Sequence, residues 1–274
     1  MPELPEIEVT RRVLVERLRG KRLVDAWLKR EGKTTMPGVE RLPELHGARL
    51  DEIERRGKML VLLFSNQLAL VVHLMLIGRI ALFPGGQKIP VEPRLRLGFE
   101  DGEELEVRFV AARSLALIPM EELDHFPAIA KQGPDALELT SAAFEHALGK
   151  ARGPIKNVFM EQQHMAGVGN AYADEILYEA RVHPMTGVNA LSPDDVNRLY
   201  AAVAPVLRRA IDLGAAEEYV EDLGPLEGIT SKGELMRVHN RRGKPCPACG
   251  TRVQMKLLKG RNTFFCPSCQ HPGT

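Results

Sequence analysis

Two cysteine pairs near the end of the chain, Cys246-x2-Cys249 and Cys266-x2-Cys269 with sixteen residues between them, constrain the fold more than any other feature. They hold all four cysteines of the protein. Two tight turns that each present a pair of thiolates complete a tetrahedral sphere around Zn2+, the pattern of a zinc ribbon. Four protein ligands leave no open coordination position, so one structural zinc is expected rather than a hydrolytic one. Nucleobase deaminases also carry a Pro-Cys-x-x-Cys element, but they need a His-x-Glu partner. None of the eight histidines is followed two residues later by Glu. A hairpin with so little apolar content depends on the metal, which contributes about 10–16 kcal/mol in finger peptides. Lys259-Gly260-Arg261-Asn262 marks its tip. With Arg252, Lys256 and Lys259 around it, Arg261 is a candidate phosphate contact delivered by a rigid turn. Nothing suggests a disulfide framework, and a reducing cytoplasm fits.

The formal net charge of +1 conceals a division. Residues 226–274 carry nine Lys/Arg against two Asp/Glu, whereas the remainder carries 28 basic and 34 acidic residues. Basic charge gathered at one end suits a module that binds a polyanion. At 274 residues, 44% hydrophobic and 27% charged, the chain has an ordinary globular composition with room for two sizeable domains, which excludes a disordered or fibrous protein. The acidic start lacks an apolar h-region, so no signal peptide is expected. Met59 to Gly78 is uncharged over 20 residues, long enough to be tested as a membrane span. Ser65-Asn66-Gln67 and His73 interrupt it and divide it into two strand-length runs, so a buried hairpin and no membrane partner are expected.

At the other end the chain opens MPELPEIE, with Pro2 flanked by the carboxylates of Glu3 and Glu6. Removal of Met1, which a small second residue permits, leaves a secondary amine on Pro2, a nucleophile that no internal residue can supply. With a pKa of about 7.7–8.0, roughly a tenth of such an amine is neutral and reactive at neutral pH. The same residues also begin a helix over about 5–19: Pro5 suits its first position, Glu6 and Glu8 its first turn, Arg17 and Arg19 its last, and Gly20 its stop. The helix leaves Pro2 and Glu3 unexplained.

Short apolar runs follow, at Arg22 to Leu28, Ala48 to Ile53, Met59 to Phe64, Leu68 to Leu76, Arg79 to Phe83, Leu95 to Phe99 and Leu105 to Phe109, and they predict a β-sandwich or barrel-like core. Gly133-Pro134-Asp135 reads as a linker, after which the periodicity becomes helical. Helices are predicted from Thr140 to about 149, from Pro154 to about 165, over Ala171 to Arg181, and from Ser192-Pro193 to Gly214. The expected fold is α+β: a helix and a β-sandwich over 1–133, a helical segment over 134–225, and a zinc-ribbon hairpin over 226–274.

The terminus MPELPEIE, the segment from Pro154-Ile155-Lys156 through Gly167-Val168-Gly169-Asn170-Ala171-Tyr172-Ala173-Asp174-Glu175, and the ending KPCPACG…GRNTFFCPSCQ occur in one order. Together they resemble the formamidopyrimidine-DNA glycosylase family, of the helix-two-turn-helix superfamily that also contains the endonuclease VIII group. The resemblance implies a bifunctional DNA glycosylase and abasic-site lyase. In that family the N-terminal proline attacks C1′ of an extruded damaged nucleotide, expels the base and leaves a Schiff base from which the strand is cut. It makes Pro2 the nucleophile, Glu3 the proton donor, Lys58 a proton-transfer residue and Arg261 the zinc-finger arginine that grips phosphate. Lys156 and Asn170 match phosphate ligands. Independently, Asn170 stands where a Gly-x-Gly turn meets a helix N-terminus that offers free N–H groups to an anion. Arg113, Arg152, Leu115 and Met75 complete the candidate DNA contacts. Damaged DNA is the implied partner, with no small-molecule cofactor, a monomer as the simplest state, and a cytoplasmic, nucleoid-associated location of bacterial type.

Departures from the family's pattern fall in the residues that fill the gap left by the extruded nucleotide, a Met, an Arg and a Phe. In His73-Leu74-Met75-Leu76-Ile77-Gly78, Leu76 takes the methionine's slot and Met75 lies one position early. In Ala111-Ala112-Arg113-Ser114-Leu115-Ala116 only Arg113 survives, and Leu115 offers an apolar wedge without an aromatic stacking face. Glu92-Pro93-Arg94-Leu95 lacks the family's histidine, and Asp222 to Met236 is shorter than the loop that closes over 8-oxoguanine. These departures predict altered lesion preference and weak 8-oxoguanine excision. Two other readings stay open: a lesion- or abasic-site-binding protein with little turnover, and a zinc-ribbon nucleic-acid module on an unrelated β-domain.

Overall fold

The computed structural model describes residues 1–29, 36–85, 92–216, 220–221 and 230–271. Two compact units divide the chain, Met1–Ala130 with Gly214–Ser231, and Lys131–Leu213 with Lys232–Thr274. The helical segment and the zinc ribbon thus share the second unit.

In the first unit, helix α1 (Leu4–Leu18) carries Pro5 in its first turn and buries Leu4, Ile7, Leu14 and Leu18. The chain leaves it through Gly20 in the left-handed region (φ +89°), a conformation that glycine adopts without steric penalty. Strands β1 (Leu23–Leu28), β2 (Leu50–Arg56), β3 (Met59–Phe64), β4 (Leu68–His73), β5 (Arg79–Pro84), β6 (Leu95–Phe99), β7 (Glu103–Arg108), β8 (Leu115–Pro119) and β9 (Val220–Glu221) form two sheets. Their orders are β2-β3-β4-β8, and β1-β6-β7-β5-β9 with β9 parallel to β5. Leu60, Leu62, Phe64, Leu70 and Leu117 of the first sheet share one core with Ile80, Leu82, Leu95, Leu97 and Leu105 of the second. The opposite face of the first sheet, Met59, Val61, Val71, Ala116 and Ile118, is also buried, beneath Leu123 and Phe126. Strands β3 and β4 are covered on both faces, which is why Met59 to Gly78 reads as continuous apolar sequence. Among the described residues no helix is long and apolar enough to cross a membrane. A short helix α2 (Pro127–Ala130) closes this part of the unit.

The second unit contains α3 (Ser141–Lys150), α4 (Ile155–Met160), α5 (Asn170–Glu179), α6 (Pro193–Asp212) and α7 (Lys232–Leu235). Thr140 caps α3, and Ser192 caps α6 through a reciprocal box with Asp195. Leu199, Val203, Leu207 and Ile211 form the buried stripe of α6, and Val196 is half-buried. Helix α4 stops at Met160 rather than about 165, because the Gln162 side chain donates to Met160 O (3.0 Å) and Val168 O (2.8 Å) and accepts from Gly167 N (2.9 Å). This amide stands in for the next helical turn. The segment Gly133-Pro134-Asp135 is pinned rather than loose: Gly133 N donates to Gln162 O (2.8 Å) and Pro134 O accepts from Ala166 N (2.9 Å). Strands β10 (Gln254–Leu258) and β11 (Arg261–Phe265) make the ribbon hairpin. Lys259 (φ +45°) and Gly260 (φ +76°) between them have the two left-handed residues of a type I′ turn.

Candidate functional site

Pro2 is buried and Glu3 is 2% exposed, immediately before α1. Glu3 N donates to Glu6 Oε2 (2.6 Å), so the first-turn carboxylate closes the helix start and fixes the two leading residues at its positive end. Glu8, one turn on, accepts from Arg11 (2.8 Å), Arg12 (3.0 Å) and Arg55 (3.4 Å). Burial alone raises the Glu8 carboxyl, but the arginine hydrogen bonds and the charge of Arg55 hold it below its usual range. Arg55 also donates to Gly57 O (3.1 Å). A continuous polar chain therefore runs from α1 to the Gly57-Lys58 turn between β2 and β3, where Gly57 has φ +59° and Lys58 is 8% exposed. Pro2, Glu3 and Lys58 are thus carried by elements that one arginine ties together. The sequence reading placed Glu8 only in the first turn of the helix and missed its pairing with Arg55. The only available signal was charge at positions where an amphipathic pattern asks for apolar residues.

His73 ends β4, paired with Met59 next to Lys58. Burial and then the nearby Lys58 cation push its imidazole below the usual histidine value. Its Nδ1 accepts the Met75 N–H (3.0 Å), a role that requires the neutral ring. That bond shapes the turn before β5, where Met75, Leu76 and Ile77 are all exposed. Gly78 closes the turn because a Cβ there would lie 2.2 Å from Leu74 O and 2.7 Å from Val110 Cγ1. Arg113 is exposed nearby in sequence to β8. Leu115 requires a correction: it is not a surface wedge but the first residue of β8, 1% exposed, paired with Val72 and part of the main core. Strand β8 was not anticipated, because Ala111 to Ala116 was aligned by motif rather than by its apolar content. A cavity of about 270 Å3 opens beside this region, lined among others by Met59, His73, Met75, Arg113, Ser114 and Phe126.

In the second unit, Lys156 requires the other correction. Its ammonium is not presented to a ligand: it is 0% exposed, 2.8 Å from the equally buried Asp174 Oδ1. It donates to Thr263 Oγ1 (2.9 Å) and Asn262 O (3.1 Å) at the base of the hairpin tip. Asp174 Oδ2 also meets His239 Nδ1 (2.7 Å). Asn170, half-buried at the start of α5, donates to the same Asn262 O (3.1 Å). Both residues therefore hold the hairpin beside which Arg261 stands exposed. Arg152 is exposed and donates to Gly149 O and Ala151 O. Glu175 accepts the backbone N–H groups of Arg237, Val238 and His239, each at 2.9 Å, which fixes the chain entering the ribbon.

The four cysteine Sγ atoms lie within 4.8 Å of one another, with Cys246–Cys269 at 3.9 Å and Cys249–Cys266 at 3.5 Å. Zinc–sulfur bonds of about 2.3 Å in a tetrahedron put sulfurs roughly 3.8 Å apart, so this all-thiolate set fits one structural Zn2+. Hydrogen bonds from Thr251 lower the Cys249 thiol to about 6, whereas burial raises the thiols of Cys266 and Cys269. The Tyr178 hydroxyl lies 3.2 Å from Cys246 Sγ. Buried Gln270 accepts from Cys266 N (2.8 Å) and donates to Val182 O (3.0 Å), anchoring the second knuckle.

Three family profiles match in sequence order: the formamidopyrimidine-DNA glycosylase N-terminal domain over residues 1–118, the H2TH domain of the same glycosylases over 132–221, and a zinc finger found in FPG and IleRS over 243–272. The chain is 33% identical to the formamidopyrimidine-DNA glycosylase of Listeria innocua, covering 98% of this chain and 100% of that one. It is 34% identical to that of Exiguobacterium sibiricum, covering 98% and 99%. Among solved structures, MutM (Fpg) from Thermus thermophilus superposes with a TM-score of 0.84 at 30% identity over the whole of both chains. Lactococcus lactis Fpg, in complex with DNA containing N7-benzyl-Fapy-dG, superposes with a TM-score of 0.88 at 29% identity, covering 98% of this chain and 100% of that one.

Proposed function

The chain belongs to the formamidopyrimidine-DNA glycosylase family of bifunctional glycosylases and abasic-site lyases, and from that premise we propose that it excises a damaged base through Pro2 and then nicks the strand. The observation that carries this reading is the placement of Pro2 and Glu3 at the start of α1, joined through Glu8 and Arg55 to the turn that bears Lys58. Once Met1 is removed, the Pro2 nitrogen lone pair attacks C1′ of the extruded nucleotide and the glycosidic bond breaks, its electrons leaving with the base, which takes up the proton that the Pro2 nitrogen loses on bonding to C1′. Glu3 donates a proton to the ring oxygen as the sugar opens, and the C1′–nitrogen bond becomes an iminium. A secondary amine can form only a cationic iminium, which acidifies the C2′–H bond. Loss of that proton expels the 3′-phosphate in β-elimination. Lys58 serves proton transfer, and Arg261 at the hairpin tip grips phosphate, with Arg113, Arg152 and Asn170 as further DNA contacts.

The wedge that fills the vacated stack is the turn Met75-Leu76-Ile77, since Leu115 is committed to the core. Lesion preference is accordingly altered and 8-oxoguanine excision weak. The lesion-capping part of the chain expected between Asp222 and Met236 falls largely on 222–229, outside the described residues.

Borohydride reduction on duplexes that carry abasic or ring-opened purine sites tests the chemistry. A covalent adduct is expected from the mature chain, and none from a preparation that keeps Met1. Adduct formation undiminished by a retained Met1 would overturn the role of Pro2. A panel of lesion duplexes, scored for base release, tests the preference: 8-oxoguanine should be among the slower substrates.

A further inference from the structure

Of nine phenylalanines, only Phe109 is exposed, at 48%. It is also one of the few non-glycine residues in the left-handed region, with φ +57°, an outlier for a bulky side chain that persists only when its surroundings enforce it. Both neighbours do so. Arg108, 2% exposed, is paired with Glu106 at 2.7 Å. Val110 approaches Gly78, and its carbonyl accepts from Arg94 (3.0 Å). With the two flanking residues fixed inward, the ring between them is turned out.

Strand register decides what stands beside it. Arg79 pairs with Arg108, so the next step of the ladder sets Phe109 across from Gly78, which has no side chain to cover the ring. The adjoining Ile77 (63%), Leu76 (65%) and Met75 (38%) are exposed as well. Arg79 borders this apolar surface, its guanidinium on Ile77 O (2.9 Å) and Gly78 O (3.2 Å). An aromatic face beside an aliphatic wedge with a cationic border is the composition that receives unstacked nucleobases along a phosphate backbone.

We propose that Phe109 is a specificity-determining residue whose ring stacks on a base exposed when the damaged nucleotide leaves the duplex, supplying the aromatic face that position 115 lacks. The proposal rests on the glycosylase reading above. It assigns Phe109 to holding the distorted duplex, not to bond-making.

Single-turnover strand cutting on an abasic duplex, with each of the four bases opposite, is compared with borohydride trapping on a single-stranded abasic oligonucleotide. Base–aromatic stacking lost on truncation corresponds to about 5- to 150-fold. Phe109→Ala and Phe109→Leu should lose that much on the duplex and flatten the opposite-base preference, while single-strand trapping is unchanged. Phe109→Trp should retain duplex activity, and its emission, above the background of Trp27, should be quenched by the abasic duplex more than by an intact one. Duplex activity of Phe109→Ala or Phe109→Leu equal to wild type overturns the proposal. If the wild type itself traps neither substrate, the catalytic reading fails, and the Phe109→Trp quenching alone then decides whether the ring stacks.

Discussion

Replacing Lys156 by Met separates a buried structural cation from a phosphate ligand. Lys156 and Asp174 are both 0% exposed and 2.8 Å apart, and the ammonium also holds Thr263 and Asn262. Without it, Asp174 keeps His239 Nδ1 at 2.7 Å as a partner but loses its buried counter-charge. Breaking a buried pair from one side costs about 3–5 kcal/mol. At about 2–4 °C per kcal/mol for domains of this order of size, Lys156→Met should lower the melting temperature by roughly 6–20 °C. Adding Asp174→Leu should recover part of the loss, because it removes the stranded carboxylate. The assay is thermal unfolding of the zinc-loaded chain, together with the salt dependence of DNA binding well below the melting point. A phosphate contact contributes about 0.9 to the slope of log K against log salt, and Lys156→Met should leave that slope at its wild-type value. An unchanged melting temperature together with a slope reduced by about one would refute the buried-pair assignment.

Protonation of His73 should open the wedge turn, because its Nδ1 must accept from Met75. Its native pKa is lowered by burial and then by Lys58. The unfolded chain therefore binds the proton first as pH falls, and the stability that neutral His73 contributes is full above about 6.5 and lost toward the lower native value. Thermal melts at stepped pH should show this loss in wild type and less of it in His73→Asn, whose amide oxygen can accept without titrating; equal pH dependence would count against it. Gly78→Ala sets a methyl against Leu74 O and Val110 and should cost about 1–3 kcal/mol in urea unfolding, with a wild-type midpoint contradicting the geometry. Chelation of zinc should unfold the ribbon, read as loss of hairpin signal in NMR and of DNA binding, and added Zn2+ should restore both. A ribbon that keeps its dispersion after complete metal removal would show that the thiolates are not its framework. Glu3→Gln should slow base release far more than DNA binding, measured by single-turnover kinetics beside equilibrium titration, and equal rates would remove Glu3 from the proton-donor role.

Much of the fold was legible because its signals are local. Pro5 and Glu6 announce α1, Ser192-Pro193-Asp194-Asp195 announces α6, and two cysteine pairs with a basic turn between them announce the ribbon. The candidate site was legible only where chemistry is rare enough to be conspicuous, as at Pro2 and the four thiols. Lys156 and Leu115 were misread because a motif preserves residue type without saying which way the side chain faces. The stop of α4 at Met160 was hidden for a related reason, since it depends on one glutamine amide finding two carbonyls.

By itself, then, the amino-acid order determined the succession of helix, strands, helices and metal hairpin, and the presence of a proline at position 2, four thiols and a basic tail, because each follows from neighbours a few residues apart. Only the tertiary structure decided that Lys156 lies beneath the hairpin instead of on its surface, that Leu115 fills the core, and that Phe109 faces outward. Burial and strand register bring together residues distant in the chain, and no local pattern encodes which of two faces a side chain will occupy.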